Sequence, residues 1–204
     1  KVRSAEAAAS LSSALESVAQ HFGLKTRILL GPGDQPIGRG IGPALEARDV
    51  IAALQGAEGV EDLRRRACEL AGALFELTGN AEPGGGFARA EHALKSGRAW
   101  QKFQRICEAQ GGMRTPPFAN HRHELRAVKS GKLASIDNRK IAAIAKLAGA
   151  PAAKAAGVEM AVRLGDSVEV GSLLCTIHAE SRGELDYALA FASGGSDAFG
   201  IVAA

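Results

Sequence analysis

The sequence predicts an α/β segment followed by an α+β segment, arranged as two domains over residues 1–115 and 116–204. Three observations carry that reading. Before residue 56, a helical pattern, a short apolar run, a glycine-rich loop and a second helical pattern follow one another, which is the cadence of α/β folds. Helical periodicity then dominates as far as Gly111-Gly112, and the MRTPPF stretch after it reads as a linker. Beyond Phe118 the texture changes to short alternating runs broken at glycine turns, with two short helical patterns among them.

The first helix has Ser4 as its cap and a stripe of Leu11, Leu15, Val18 and Phe22 to bury, and Gly23 ends it. LKTRILL (Leu24–Leu30) reads as a strand, with Leu24, Thr26, Ile28 and Leu30 on one side. Pro43 fits the first turn of a helix that buries Leu45, Val50, Ile51 and Leu54 and closes at Gly56. Glu58–Leu77 is the cleanest helical pattern, through Val60, Leu63, Ala67, Leu70, Leu74 and Leu77. Asn80–Gly86 is a connector to two shorter helices, one through Ala90 and Leu94, the other capped by Ser96 and using Trp100, Phe103, Ile106 and Cys107. HELRAVKSGKLASID reads as two short strands around Ser130-Gly131. Asp137 caps a helix with Ile141, Ile144 and Leu147 inward, and Val158–Leu164 alternates as a strand. VRLGDSVEVGSLLCTIHA is strand, turn, strand, turn, strand, and Glu184–Phe191 is a short helix.

At 204 residues and 46% apolar content, the chain can bury a real core. No apolar run approaches the roughly 20 residues that span a bilayer, which argues against a membrane protein. Cys68, Cys107 and Cys175 are odd in number and form no Cys-x-x-Cys pair, the usage of a reduced cytoplasmic protein. The first residue is Lys and a helical pattern starts at once, so the chain is expected to be a piece of a longer protein.

Charge is unevenly spread. Residues 89–154 carry 14 Lys and Arg against 4 Asp and Glu, whereas residues 158–204 carry 2 against 7. The basic stretch could face a nucleotide or nucleic acid as a standalone binding module, although such a segment is more often a solvated face. Aromatic content of 4% speaks against nucleic acid, because single strands are held on exposed rings.

The loop GPGDQPIGRGIGPALEARD (Gly31–Asp49) concentrates five glycines ahead of a helix. A Walker phosphate loop ends in Gly-Lys-Ser/Thr, and Gly42-Pro43-Ala44 has neither the lysine nor the hydroxyl. A dinucleotide fingerprint needs Gly-x-Gly-x-x-Gly, and after Gly31 and Gly33 the next glycine is Gly38. Loop carbonyls plus the Asp49 carboxylate suit a hard cation, while a plain connector needs no ligand at all. The residues favour the connector and leave the cation site open.

Elsewhere the signals are structural. His121 and His123 share a strand face without a third ligand at metal spacing. His178 lies near a strand end with no adjacent nucleophile, and Cys175 alternates inward beside it. GDSVEVGSLL, closing with CTIHA, resembles the hammerhead of biotinyl and lipoyl domains. The carrier lysine of those domains has Glu180, Ser181 and Arg182 in its place, so a hammerhead-like shape is expected and a covalent carrier is not.

Five stretches in order, Lys1–Ser4, QPIGRGIGPALEARD, SGRAWQKFQRICEAQGG, SIDNRKIAAIAKLAGAPAAKAAG and VRLGDSVEVGSLLCTIHAES, resemble the C-terminal part of type II nucleoside phosphorylases. That family includes thymidine phosphorylase, pyrimidine nucleoside phosphorylase and AMP phosphorylase. The resemblance implies a pentosyltransferase in which inorganic phosphate displaces the base of a nucleoside. Residues 1–115 would complete its α/β domain, and 116–204 would be its α+β C-terminal domain. Thymidine is the implied substrate, with a nucleoside 5′-monophosphate such as AMP as the alternative, and the full-length enzyme would be a homodimer. The catalytic groups of the family lie upstream of the matching stretches, so no catalytic residue transfers and this chain alone is expected to be inactive. The resemblance also implies a monovalent cation, potassium, held by the carbonyls of Ile37 and Gly40 and the side chain of Asp49. Here Asp stands where the family carries the longer Glu. No other cofactor is implied.

Overall fold

Ser4 accepts a hydrogen bond from the Ala7 N–H and starts α1 (Ala5–His21), the first element of a computed structural model that describes residues 2, 4–194 and 197–203. Lys1 and Arg3 of the Lys1–Ser4 stretch lie outside the described residues. The other elements, in chain order, are β1 (Gly40–Ile41), α2 (Pro43–Gln55), α3 (Glu61–Leu77), α4 (Gly86–Lys95), α5 (Arg98–Ala109), β2 (His121–Arg126) and β3 (Gly131–Ile136). After these come α6 (Asn138–Leu147), β4 (Gly157–Met160), β5 (Ser167–Val168), β6 (Leu173–Ala179), α7 (Arg182–Ser193) and β7 (Phe199–Val202). Contacts divide the chain into two compact units, one of residues 1–32 and 65–98, the other of residues 33–64 and 99–204.

The first unit is helical. The expected strand over Leu24–Leu30 is not formed, and Leu24 and Leu30 are exposed. A strand exists through the N–H and C=O groups of a neighbour, and neither sheet of the described residues includes this segment. The stripe of α1 is also uncovered rather than buried, with Leu15 57% and Phe22 70% exposed. Helix α3 forms where expected but on another face: Leu70 and Leu74 of the expected stripe are exposed, and Cys68, Gly72 and Ala73 are buried. Gly72 lies so close to Gly86 at the start of α4 that a methyl at Gly86 would lie 2.1 Å from the Gly72 oxygen. Glu76 on α3 accepts the N–H groups of Gly84 and Gly86 and pairs with Arg27, which holds its carboxyl below the usual range chiefly through the Gly86 bond. Ser96 closes α4 rather than opening α5.

The second unit mixes helices with two antiparallel sheets, ordered β1-β4-β6-β2 and β5-β3-β7. β2 and β3, adjacent in sequence, do not form a hairpin: β2 pairs with β6, whereas β3 pairs with β5 and β7. The strand expected over Val158–Leu164 ends at Met160. Asp137 accepts the N–H groups of Arg139 and Lys140 and Ser181 that of Glu184, so α6 and α7 start at their caps. These helices pack on each other and on β4 and β6 around a core that includes Leu133, Ile141, Ile144, Met160, Ile177 and Phe199. β1 lies on β4 with the pairs Gly40–Glu159 and Ile41–Val158. Two glycines permit this approach: a methyl on Gly42 would lie 2.3 Å from the Ala156 oxygen, and one on Gly157 2.0 Å from the Ile41 oxygen.

Candidate functional site

The glycine-rich loop enters the second unit at Gly33 and reaches α2 at Pro43. Nearly every residue along it is tied to a group brought from elsewhere in the chain. Asn138 Nδ2 donates to the Gly33 oxygen at 2.9 Å, and Gln35 Oε1 accepts the Leu164 N–H at 2.9 Å. Arg163 Nη1 donates to the Gly38 oxygen at 2.7 Å and reaches the Pro36 oxygen at 3.4 Å. Asp62 Oδ2 accepts the Gly38 N–H at 3.0 Å and lies 3.2 Å from Arg163 Nη2. The Met160 N–H donates to the Arg39 oxygen at 2.8 Å, which makes the loop's last residues an edge strand. Ala44, at the start of α2, donates to the Lys154 oxygen at 3.0 Å, and the Gly42 N–H donates to Glu46 Oε1 at 2.9 Å.

Asp49 is 7% exposed, and its Oδ2 accepts two loop N–H groups, from Arg39 at 2.6 Å and from Gly40 at 2.7 Å. The structure therefore brings Asp49 and Gly40 together, but through the glycine's N–H. A carboxylate oxygen receives about two such bonds, and the positive ends of two amide dipoles already converge on it. A cation bound to the same oxygen would face those positive ends. A guanidinium, itself a fixed cation, holds two carbonyls of the same loop. Of the Ile37, Gly40 and Asp49 set, the Asp49 Oδ2 is thus turned to two loop amides and not to a cation.

Arg163, Asp62, Asn138 and Gln35 carried no signal in the sequence. Arg163 stands 125 residues from the glycine it binds, so no spacing rule links them. The usable hint was the Gly165-Asp166 turn: Asp166 Oδ2 accepts the Arg163 N–H at 2.7 Å, fixing the backbone from which the guanidinium extends.

His178 is 4% exposed on β6, with Nε2 3.4 Å from Glu159 Oε2 on β4. That contact holds the Glu159 carboxyl below the usual carboxylate range. Cys175 is buried in the same sheet, and burial pushes its thiol up to about 12. His121 and His123 stand on β2, and among the described residues no three His, Cys, Asp or Glu side chains gather as a metal site. Two cations flank Phe118: the Arg48 guanidinium lies 4.0 Å from the ring centroid and that of Arg122 5.6 Å. No helix of the described residues is long and apolar enough to cross a membrane.

Comparison with known proteins agrees with the resemblance. Residues 132–196 match the pyrimidine nucleoside phosphorylase C-terminal domain. A protein from Sphingopyxis alaskensis named putative thymidine phosphorylase is 63% identical over 192 residues, covering 94% of this chain and 37% of that protein. Proteins of the same name from Chelativorans and Parvibaculum lavamentivorans are 52% and 53% identical, over 97% and 94% of this chain and 39% and 38% of their own lengths. The chain thus spans well under half of each relative. Residues 132–196 belong to the pyrimidine nucleoside phosphorylase C-terminal domain family, in a chain that is similar along nearly its whole length to a part of these thymidine phosphorylase relatives.

Proposed function

We propose that this chain is the supporting C-terminal part of an enzyme that cleaves thymidine with inorganic phosphate, giving thymine and 2-deoxyribose 1-phosphate. The observation that carries the reading is similarity at 63% identity over 94% of the chain to a relative bearing that enzyme's name. Phosphorolysis of this kind places phosphate at the anomeric carbon as the base departs, so it depends on groups held in register. What the chain offers is a scaffold for such groups: a loop tied at both ends, set beside a buried sheet. Residues 1–115 would then complete an α/β domain, and 116–204 would form the α+β domain, with a hammerhead-like turn sequence over residues 165–179. The turns at Leu164-Gly165 and Val170-Gly171 support that last reading.

The test is phosphate-dependent base release by the full-length protein, with thymidine and AMP in parallel. Thymine released faster than adenine is the expected result, and adenine released faster would move the enzyme to the nucleotide branch of the family. Absence of release from either would refute the reading. The 204-residue chain by itself is expected to release neither, and phosphate-dependent cleavage by it would show that a reaction centre lies within these residues.

A further inference from the structure

We propose that Arg163 is a built-in cation for the glycine-rich loop, and that the order of this loop in the full-length protein is indifferent to potassium. The Pro36 and Gly38 carbonyls, on either side of Ile37, converge on Arg163 Nη1 at 3.4 and 2.7 Å. The other face of the guanidinium meets Asp62, whose Oδ2 also takes the Gly38 N–H. Gly38 is thus held through both its N–H and its carbonyl by one ion pair. One and two residues on, the Arg39 and Gly40 N–H groups close on Asp49. Both charges at the centre of the loop are answered by fixed partners: the guanidinium by carbonyls and a carboxylate, and the Asp49 carboxylate by amides.

An arginine in this role differs physically from an ion. A bound potassium exchanges with solvent and is lost at low salt, whereas a guanidinium is covalently attached, always charged, and presents its donors in a rigid plane. Its side chain is only 27% exposed and its backbone is pinned by the Asp166 turn, so much of the ordering cost is met before it reaches the loop. Arg163 is therefore a positioning residue, acting through the loop and not on a substrate.

The experiment is amide hydrogen exchange of peptides covering residues 33–42 in the full-length protein, in potassium chloride and in choline chloride at equal ionic strength. Wild-type protection should agree within about twofold between the two salts. Arg163→Met should raise exchange in this segment about tenfold or more in both salts, and Arg163→Lys should fall between, since an ammonium cannot span both carbonyls and Asp62 in one plane. Asp62→Asn, which keeps the shape and removes the ion pair, serves as the milder variant should Arg163→Met fail to fold, and it too should raise exchange. Slowing of wild-type exchange about tenfold by potassium would overturn the inference by revealing a true ion site. Unchanged exchange in the variants that fold would overturn it by showing that Arg163 braces nothing. The readout requires no nucleoside, so it stands apart from failure of the phosphorolysis reading. Where the enzyme is active, its rate should also be equal in the two salts.

Discussion

The N–H of Gly40 lies 2.7 Å from Oδ2 of Asp49, and the N–H of Arg39 reaches the same oxygen at 2.6 Å. One buried carboxylate thereby ties the end of the loop to the middle of α2. Bonds of this kind to a charged acceptor contribute about 1.5–3 kcal/mol when the charge is retained. Asp49→Asn, which keeps the shape and loses the charge, is expected to lower unfolding free energy by about 1–3 kcal/mol in urea titration. Stability within about 0.5 kcal/mol of wild type would show the contact to be incidental.

The close approach of β1 to β4 makes a second expectation. Gly157→Ala places a methyl 2.0 Å from the Ile41 oxygen at a residue with φ of 151°, so overlap and backbone strain act together. A loss of about 3 kcal/mol or more is expected. Gly33→Ala is the control, because no atom lies within 4 Å of the added methyl, and it should be neutral within about 0.5 kcal/mol. Equal effects of the two substitutions on the thermal midpoint would contradict the close packing.

Acid should act through Glu159. Its carboxyl is held below the ordinary 4.5 chiefly by the His178 imidazole, whose Nε2 lies 3.4 Å from it, so the folded state binds this proton less readily than the unfolded chain does. That contribution is complete above about pH 4.5 and is lost as pH falls through the lower folded value. Glu159→Gln should accordingly narrow its stability gap to wild type between about pH 5 and pH 3. A gap that stays constant over this range would assign the Glu159 effect to shape and not to charge.

Thiol chemistry offers a separate handle on the core. Cys175 is fully buried with its thiol pushed up to about 12, whereas Cys107 on α5 is half-buried. The thiolate is the reacting species, so iodoacetamide at about pH 8 should modify Cys107 well before Cys175, read by peptide mass. Comparable rates in the native protein would mean that β6 opens far more readily than its packing implies.

What the sequence revealed was local chemistry. Ser4 and Asp137 cap the helices they announce, Pro43 and Gly56 bracket α2, and Cys175 and His178 are buried in the sheet. What escaped was pairing at a distance. Leu24–Leu30 has the composition of a strand, yet composition supplies no neighbour, and the α1 stripe has the right spacing without a surface to cover it. The strands flanking Ser130-Gly131 look like a hairpin and part into different sheets. At the loop, residue types single out Asp49 but not the two N–H groups that its Oδ2 accepts, because the direction in which a peptide unit faces is invisible in residue types.

The chain crosses between its two compact units three times, after residues 32, 64 and 98. Neither unit can therefore be excised at a single scission point. A protease nick near residue 33 or 99 would leave at least one product holding part of both, and a truncation intended to isolate residues 116–204 would discard the strand that covers β4. Shortened versions of this polypeptide are best designed by keeping residues 33–64 joined to residues 99–204, even at the expense of a long artificial bridge.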